Sequence, residues 1–483
     1  MHRYLITAFL TATLASAQTT VPAPKVTGPI PVTPDSKMFG AAKNNLVPLD
    51  LAKAGYVEEE FIVSGTANVY DWAADGSVTI KTPNAPYTTK VLIRRPAQAA
   101  RFSGTAVLEV ANTARRFDWS MMWGYSHDYF MEHGDAWVQV TMPASIDGLK
   151  KFNPVRYGSL SFANPSQTPC ATGKNAANPN ENGLLWDTFS QVAAALKAGL
   201  PGAFPVQRVY MTTQGGEIMT YINAIHSRAK LANGKPAFDG YLVRNPPAPA
   251  AINSCAGGIP ATDARRQIKD LDVPVVSVAA QGEVLSSLAV RKADSDAPVG
   301  RYRLYEVAGV AHIDIHAYEG FPSFAEQTEA TGTAQGTPQF PFTARCEPEI
   351  VLQSLPMLRY AFNGAFANLD RWVKDGVAPP RVSRMDVQGT TLATNEFGIG
   401  AGGIRSPYSD VPTAIYTTAS GGPGSCRELG ETRPLSWARL EQIYGNQKAY
   451  AQKAAAAIDR MVQEHWVTES DARRMREELL AGK

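Results

Sequence analysis

In the run Met211-Thr212-Thr213-Gln214-Gly215-Gly216, an apolar strand, Arg208 to Thr212, gives way to a hydroxyl and two glycines. Helical periodicity then begins, with Ile218, Ile222 and Ile225 on one face. A sharp strand-to-helix turn of this kind resembles a nucleophile elbow, which lifts one side chain above a sheet and aims the following amides at it. Thr213 stands at its apex, as a candidate nucleophile for acyl transfer. Gln214 would supply the first N–H to a developing oxyanion. The second would come from the loop Asn112-Thr113-Ala114, through Thr113, with Asn112 either sharing that role or serving as a turn residue.

A hydroxyl nucleophile needs a base. Of the seven histidines, His2 lies in the leader, His127, His133 and His226 in or at the ends of helical stretches, and His465 in the tail. That leaves His312 and His316. His312 follows Val307 to Ala311, a loop leaving a strand at its carboxyl end, and is the candidate base. Glu283, just beyond the apolar run Val273 to Ala280, is the acid that would orient it, with Asp294 and Asp314 as competitors. The chain order Thr213, Glu283, His312 is nucleophile, acid, base. A metal reading of His312 and His316 lacks the H-E-x-x-H spacing, and neither a GxGxxG nor a GxxxxGK[ST] run occurs, so no metal and no cofactor is expected. Trp119 and Arg405 are weaker substrate-binding candidates. Core packing for the first and a bridge between loops for the second are equally open.

These groups need strands that end on one edge. Thr105 to Ala111, a helical stretch from Asp118 to Glu132, and Ala136 to Thr141 read as a β-α-β unit, with Thr105 to Ala111 the first strong strand. Leu184 to Leu196 resumes helical periodicity, Val273 to Ala280 reads as a strand buried on both faces, and Tyr302 to Val307 is a more mixed strand candidate. Strands alternating with helices predict an α/β fold with a mostly parallel central sheet, whose ligands bind beyond the carboxyl ends of its strands. Leu435 to Leu480 reads as two or three amphipathic helices.

The chain resembles the α/β-hydrolase superfamily, and within it the group of alpha/beta hydrolase domain-containing proteins. The likeness rests on Gly55-Tyr56-Val57-Glu58-Glu59-Glu60, Ser64-Gly65-Thr66-Ala67-Asn68, Val110-Ala111-Asn112, Phe189-Ser190-Gln191-Val192, Glu306 to His312 and Gly402-Gly403-Ile404-Arg405-Ser406-Pro407. It implies a hydrolase of ester or amide bonds with a Ser-Asp/Glu-His triad, carried here onto Thr213, Glu283 and His312. The group's elbow usually reads Gly-x-Ser-Gln-Ser/Thr-Gly, so Met211 replaces the first glycine and Thr213 the serine. A β-branched nucleophile restricts χ1 and crowds the incoming carbonyl. Two readings follow: an esterase with a threonine nucleophile, or an impaired hydrolase fold that binds a small molecule or partner.

The 483 residues, 44% hydrophobic, are enough for one large core or two ordinary ones and exclude a disordered chain. With 46 basic against 44 acidic residues the net charge is +2, without long charge runs, so nucleic acid is not an expected partner; a small-molecule ester is. Residues 1–17 read as a signal peptide, with Ala15-Ser16-Ala17 as the cleavage site, giving a secreted or periplasmic protein with no membrane span. Residues 18–45 form an extended leader. Residues 46–483 form a single domain with insertions at about 143–184, 236–262 and 316–350. In an oxidising compartment Cys170, Cys255, Cys346 and Cys426 suit two disulfides, and their spacing does not choose among three pairings.

Overall fold

A computed structural model describes residues 20–166, 170, 179–199, 206–245, 248–333, 355–419 and 428–480. The proposed signal peptide lies outside them. Among the described residues nine strands form one sheet: β1 (Lys25–Thr27), β2 (Tyr56–Trp72), β3 (Val78–Pro96), β4 (Thr105–Val110), β5 (Ala136–Val140), β6 (Arg208–Thr213), β7 (Gly240–Arg244), β8 (Val275–Ala280) and β9 (Tyr302–Val307). Their order is β1-β2-β3-β5-β4-β6-β7-β8-β9. The pairs from β5 to β9 are parallel, and the pairs from β1 to β5 antiparallel. Every residue of β4, β5, β7, β8 and β9 is buried, as expected of central strands covered on both faces.

Two expectations need correction. Thr105–Val110 is not the first strong strand, because the long β2 and β3 precede it. Glu58-Glu59-Glu60 and the prolines at 83 and 86 disguise them. Two of those glutamates pair with arginines of β3, Glu58 with Arg94 at 2.6 Å and Glu59 with Arg95 at 2.9 Å. The insertion placed at 236–262 cuts through β7, a central strand, so extra chain can begin only after Arg244. Five residues between polar turns were too short a run to stand out.

The helices that frame the sheet include α1 (Met121–His133), α2 (Leu185–Ala198), α3 (Glu217–Thr220, continued by a π-helical turn over Tyr221–Ile225), α4 (Met357–Asp375), α5 (Trp437–Tyr444), α6 (Gln447–Gln463) and α7 (Glu469–Leu480). α4 buries Tyr360, Phe362, Phe366 and Leu369, and Gly364 lets the Trp466 carbonyl approach its backbone. The leader adds β1 to the sheet edge. It is fastened by Arg156, which donates to the carbonyls of Ile30 and Pro31 and pairs with Glu60 at 2.5 Å. Lys90 reaches the same carboxylate at 3.3 Å, so the anchor is a fully buried ionic cluster. Cys170 and Cys255 form a disulfide joining the segments before α2 and after β7, while Cys346 and Cys426 lie outside the described residues. No helix among the described residues is long and apolar enough to cross a membrane.

Candidate active site at the carboxyl ends of the parallel strands

β4, β6, β8 and β9 end on the same edge of the sheet, and each candidate group follows one of them. After β8 the chain turns through Gln281-Gly282-Glu283. The Glu283 carboxylate folds back so that Oε2 accepts from the Ala280 N–H at 2.7 Å. Its other oxygen, Oε1, meets His312 Nδ1 at 2.5 Å. This contact fixes the imidazole: Nδ1 carries a proton toward the carboxylate and Nε2 faces outward. The His312 side chain is 35% exposed against 3% for Glu283, so the base is reachable and the acid is not. Of the competing acids, Asp294 pairs with Arg384 at 2.6 Å, and Asp314 caps the His316 N–H at 2.8 Å while burial raises its proton affinity. His316 itself pairs with Glu319 at 2.7 Å. No cluster of three or more metal-ligating side chains occurs among the described residues.

The turn after β6 differs from the sequence expectation. Thr213 is the last residue of the strand and only 1% exposed. Its hydroxyl donates to the Val110 carbonyl at 3.1 Å and accepts the Gly215 N–H at 2.9 Å. The side chain that meets the base is that of Gln214, whose Nε2 lies 3.2 Å from His312 Nε2. Gln214 Oε1 is buried without a hydrogen-bond partner. Thus Glu283 and His312 come together as anticipated, Gln214 joins them through its side chain, and the Thr213 hydroxyl is bonded elsewhere. Strand alternation explains this: consecutive side chains point to opposite faces, so extending the strand through Thr213 turns it into the sheet and brings Gln214 outward. A second carboxyl, that of Glu217, lies over Gly215 in the space a side chain there would need, and burial raises its pKa.

Gly216 is required by close approach. A methyl there would run into the Ala248 carbonyl, whereas in its absence Ala250 N–H donates to Gly216 O at 3.0 Å and Thr220 closes on Ala250 O at 2.6 Å. In the loop after β4, Asn112 and Trp119 exchange two backbone hydrogen bonds, and the Asn112 side chain caps the Ala114 N–H at 2.9 Å. Asn112 is therefore a turn residue here, and Thr113 keeps its place as the candidate donor. Trp119 is buried against Tyr318 and Phe321 and donates to the Ala317 carbonyl at 3.0 Å; it belongs to the core rather than to a pocket wall. Arg405 bonds Asp410 at 2.7 Å and the carbonyls of Gly400 and Ser409, which makes it the loop bridge rather than a ligand group.

Two further features brace the site and were not visible as local motifs in the sequence. Gln281 bonds Gly309 and Gly400 through its carbonyl oxygen and Gly398 through its amide, each at 2.7 Å, clamping the acid and base loops to a distant segment. Ile313 N–H reaches Glu428 O at 3.1 Å, and Ile404 N–H reaches Glu306 O at 2.7 Å. Arg244, which ends β7, is 1% exposed, and its Nη2 lies 3.5 Å from Glu283 Oε1. An arginine closing an apolar strand was the available signal.

No curated protein matches. Solved structures described as esterases are similar to this chain at low identity. Est22 is 12% identical over 60% of this chain and 82% of its own, with a TM-score of 0.29. Est1E from Butyrivibrio proteoclasticus is 10% identical over 52% and 91%, with a TM-score of 0.25. Methylesterase BT1017 is 11% identical over 48% of this chain and 44% of its own, with a TM-score of 0.27, so the chain spans less than half of that protein. The alpha/beta hydrolase domain model matches residues 26–477, from the leader strand to the last helix. With that match over nearly its whole length, and with a mostly parallel sheet flanked by helices, the chain belongs to the alpha/beta hydrolase family.

Proposed function

We propose that the chain is an exported hydrolase of carboxylic esters, with His312 as base and Glu283 as its orienting acid. The observation that carries this reading is the Glu283–His312 pair at the strand ends, with the ring partly open to solvent. Thr213 is the proposed nucleophile. It acts after χ1 rotation breaks its bonds to Val110 and Gly215, at a cost of about 1–3 kcal/mol, and after the Gln214 amide leaves His312. The hydroxyl oxygen then bonds the acyl carbon as its proton passes to His312 Nε2. The ester C–O bond breaks, and the leaving alkoxide takes that proton. Water repeats the sequence, releasing the acid and restoring Thr213. The N–H groups of Gln214 and Thr113 are the proposed oxyanion donors. The sequence of residues 1–17 and the Cys170–Cys255 disulfide support export.

Two contacts favour a second reading, a fold that binds a small molecule without turnover. The Thr213 hydroxyl is tied to Val110, and Gln214 covers the base. An assay of short-chain and aromatic p-nitrophenyl esters on wild type, Thr213→Ser and His312→Ala separates the two. The esterase reading expects acid release that His312→Ala abolishes and Thr213→Ser raises roughly tenfold to a hundredfold, as crowding is relieved. Silence in both wild type and Thr213→Ser rejects it in favour of binding.

A further inference from the structure

The guanidinium of Arg244 is buried below the candidate site, and among the described residues none of its three nitrogens makes a hydrogen bond. It stacks near the Phe362 ring, 5.9 Å from the ring centre, and its ion-pair partner is Glu283 Oε1 at 3.5 Å. That oxygen is the same one that holds His312 Nδ1. Strand register places it: Arg244 pairs with Val278 of β8, and β8 leads directly into the Glu283 turn. The other ionisable groups in this space are Tyr125 from α1, whose hydroxyl accepts the Asp314 N–H at 3.3 Å, and Asp314 itself, whose Oδ2 makes no hydrogen bond.

Burying a guanidinium costs several kcal/mol unless charge and hydrogen bonds offset it, and breaking a buried pair from one side is strongly destabilising. A purely structural arginine would be expected to satisfy its five N–H groups, as Arg156 does with the leader carbonyls. Arg244 instead contributes mainly charge, and one carboxylate oxygen receives it.

We propose that Arg244 is a positioning residue that acts through Glu283, setting how strongly the carboxylate holds a proton on His312. Two cations compete for Oε1. While Arg244 partly neutralises the carboxylate, an imidazolium at position 312 is stabilised less, so the ring holds a proton less tightly and gives it up more readily. The inference assumes that Glu283 and His312 are the acid and base, and does not depend on which nucleophile or substrate they serve.

Nitrogen-15 NMR of the histidine side chains tests it in the full-length mature protein, with the His312 signals assigned by their loss in His312→Gln. At one mildly alkaline pH, Arg244→Met should show more rings protonated on both nitrogens than wild type, and Arg244→Lys should fall between them. Unchanged proton occupancy in a folded Arg244→Met overturns the proposal, even if its thermal midpoint falls, since a structural role alone moves only the midpoint. If Arg244→Met does not fold, Arg244→Lys decides by the same readout: a raised His312 proton occupancy relative to wild type supports the proposal, and an unchanged occupancy overturns it. The readout needs no substrate, so an inactive ester panel with a responsive His312 would sink the esterase reading and leave this one standing.

Discussion

Thr213 ties two strands and a turn together through one oxygen, which makes it structural before any chemistry is considered. Replacing it with the nearly isosteric valine leaves a buried carbonyl and a buried N–H unpaired. Thr213→Val should therefore lose about 1–3 kcal/mol in urea unfolding, whereas Thr213→Ser, keeping both bonds, should lose less than the valine variant. Equal stability of the two would mean that the hydroxyl does not hold the turn. Glu283 and His312 could be singled out in the sequence because each follows a strand, and position after a strand is a strong constraint. The direction of the Thr213 side chain was not legible. It depends on whether the strand stops at residue 212 or 213, and one residue reverses the face.

The strand-to-helix turn and the loops around it work as a packed unit. Gly216 admits the Ala248–Ala250 segment, and Gln281 holds three loop backbones at once. Gly216→Ala should push that segment away and cost about 1–3 kcal/mol, read as a lower thermal midpoint and faster protease cutting after β7. No change would show that the loop rests there without strain. The short strands β4, β6, β8 and β9 were visible as apolar runs. β2 and β3 were not, because their charged residues are neutralised only across the strand pair, which a single stretch of sequence does not display. The three C-terminal helices were legible from periodicity. Their companion loops at 398–404 were legible only through resemblance, and their task of bracing residues 281–313 is a long-range contact that local pattern does not encode.

Several buried carboxyls give the whole molecule a pH signature. Burial pushes Glu109, Asp135 and Glu326 up to about 7, and raises Glu217 as well. An acid with a folded pKa above its unfolded value stabilises the fold fully below the ordinary carboxylate range and loses that contribution as pH rises through about 7. The urea midpoint should thus fall between mildly acidic and mildly alkaline solution, and Asp135→Asn or Glu326→Gln should flatten the slope. A midpoint that climbs over the same interval contradicts the assignment. Fold class was readable at this scale from alternating strands and helices, since composition and periodicity report layers well. The ionic anchor of Glu60, Lys90 and Arg156 was not, as its members are far apart in the chain. The clamps on the base loop carry one more implication. All nine strands of the central sheet are encoded before residue 308, yet further backbone braces of the His312 loop come from residues near 400 and 428. A chain emerging from the ribosome therefore acquires its sheet well before this loop is fully braced, and a prematurely stopped product would keep Glu283 beside the imidazole but lack the later braces on its loop.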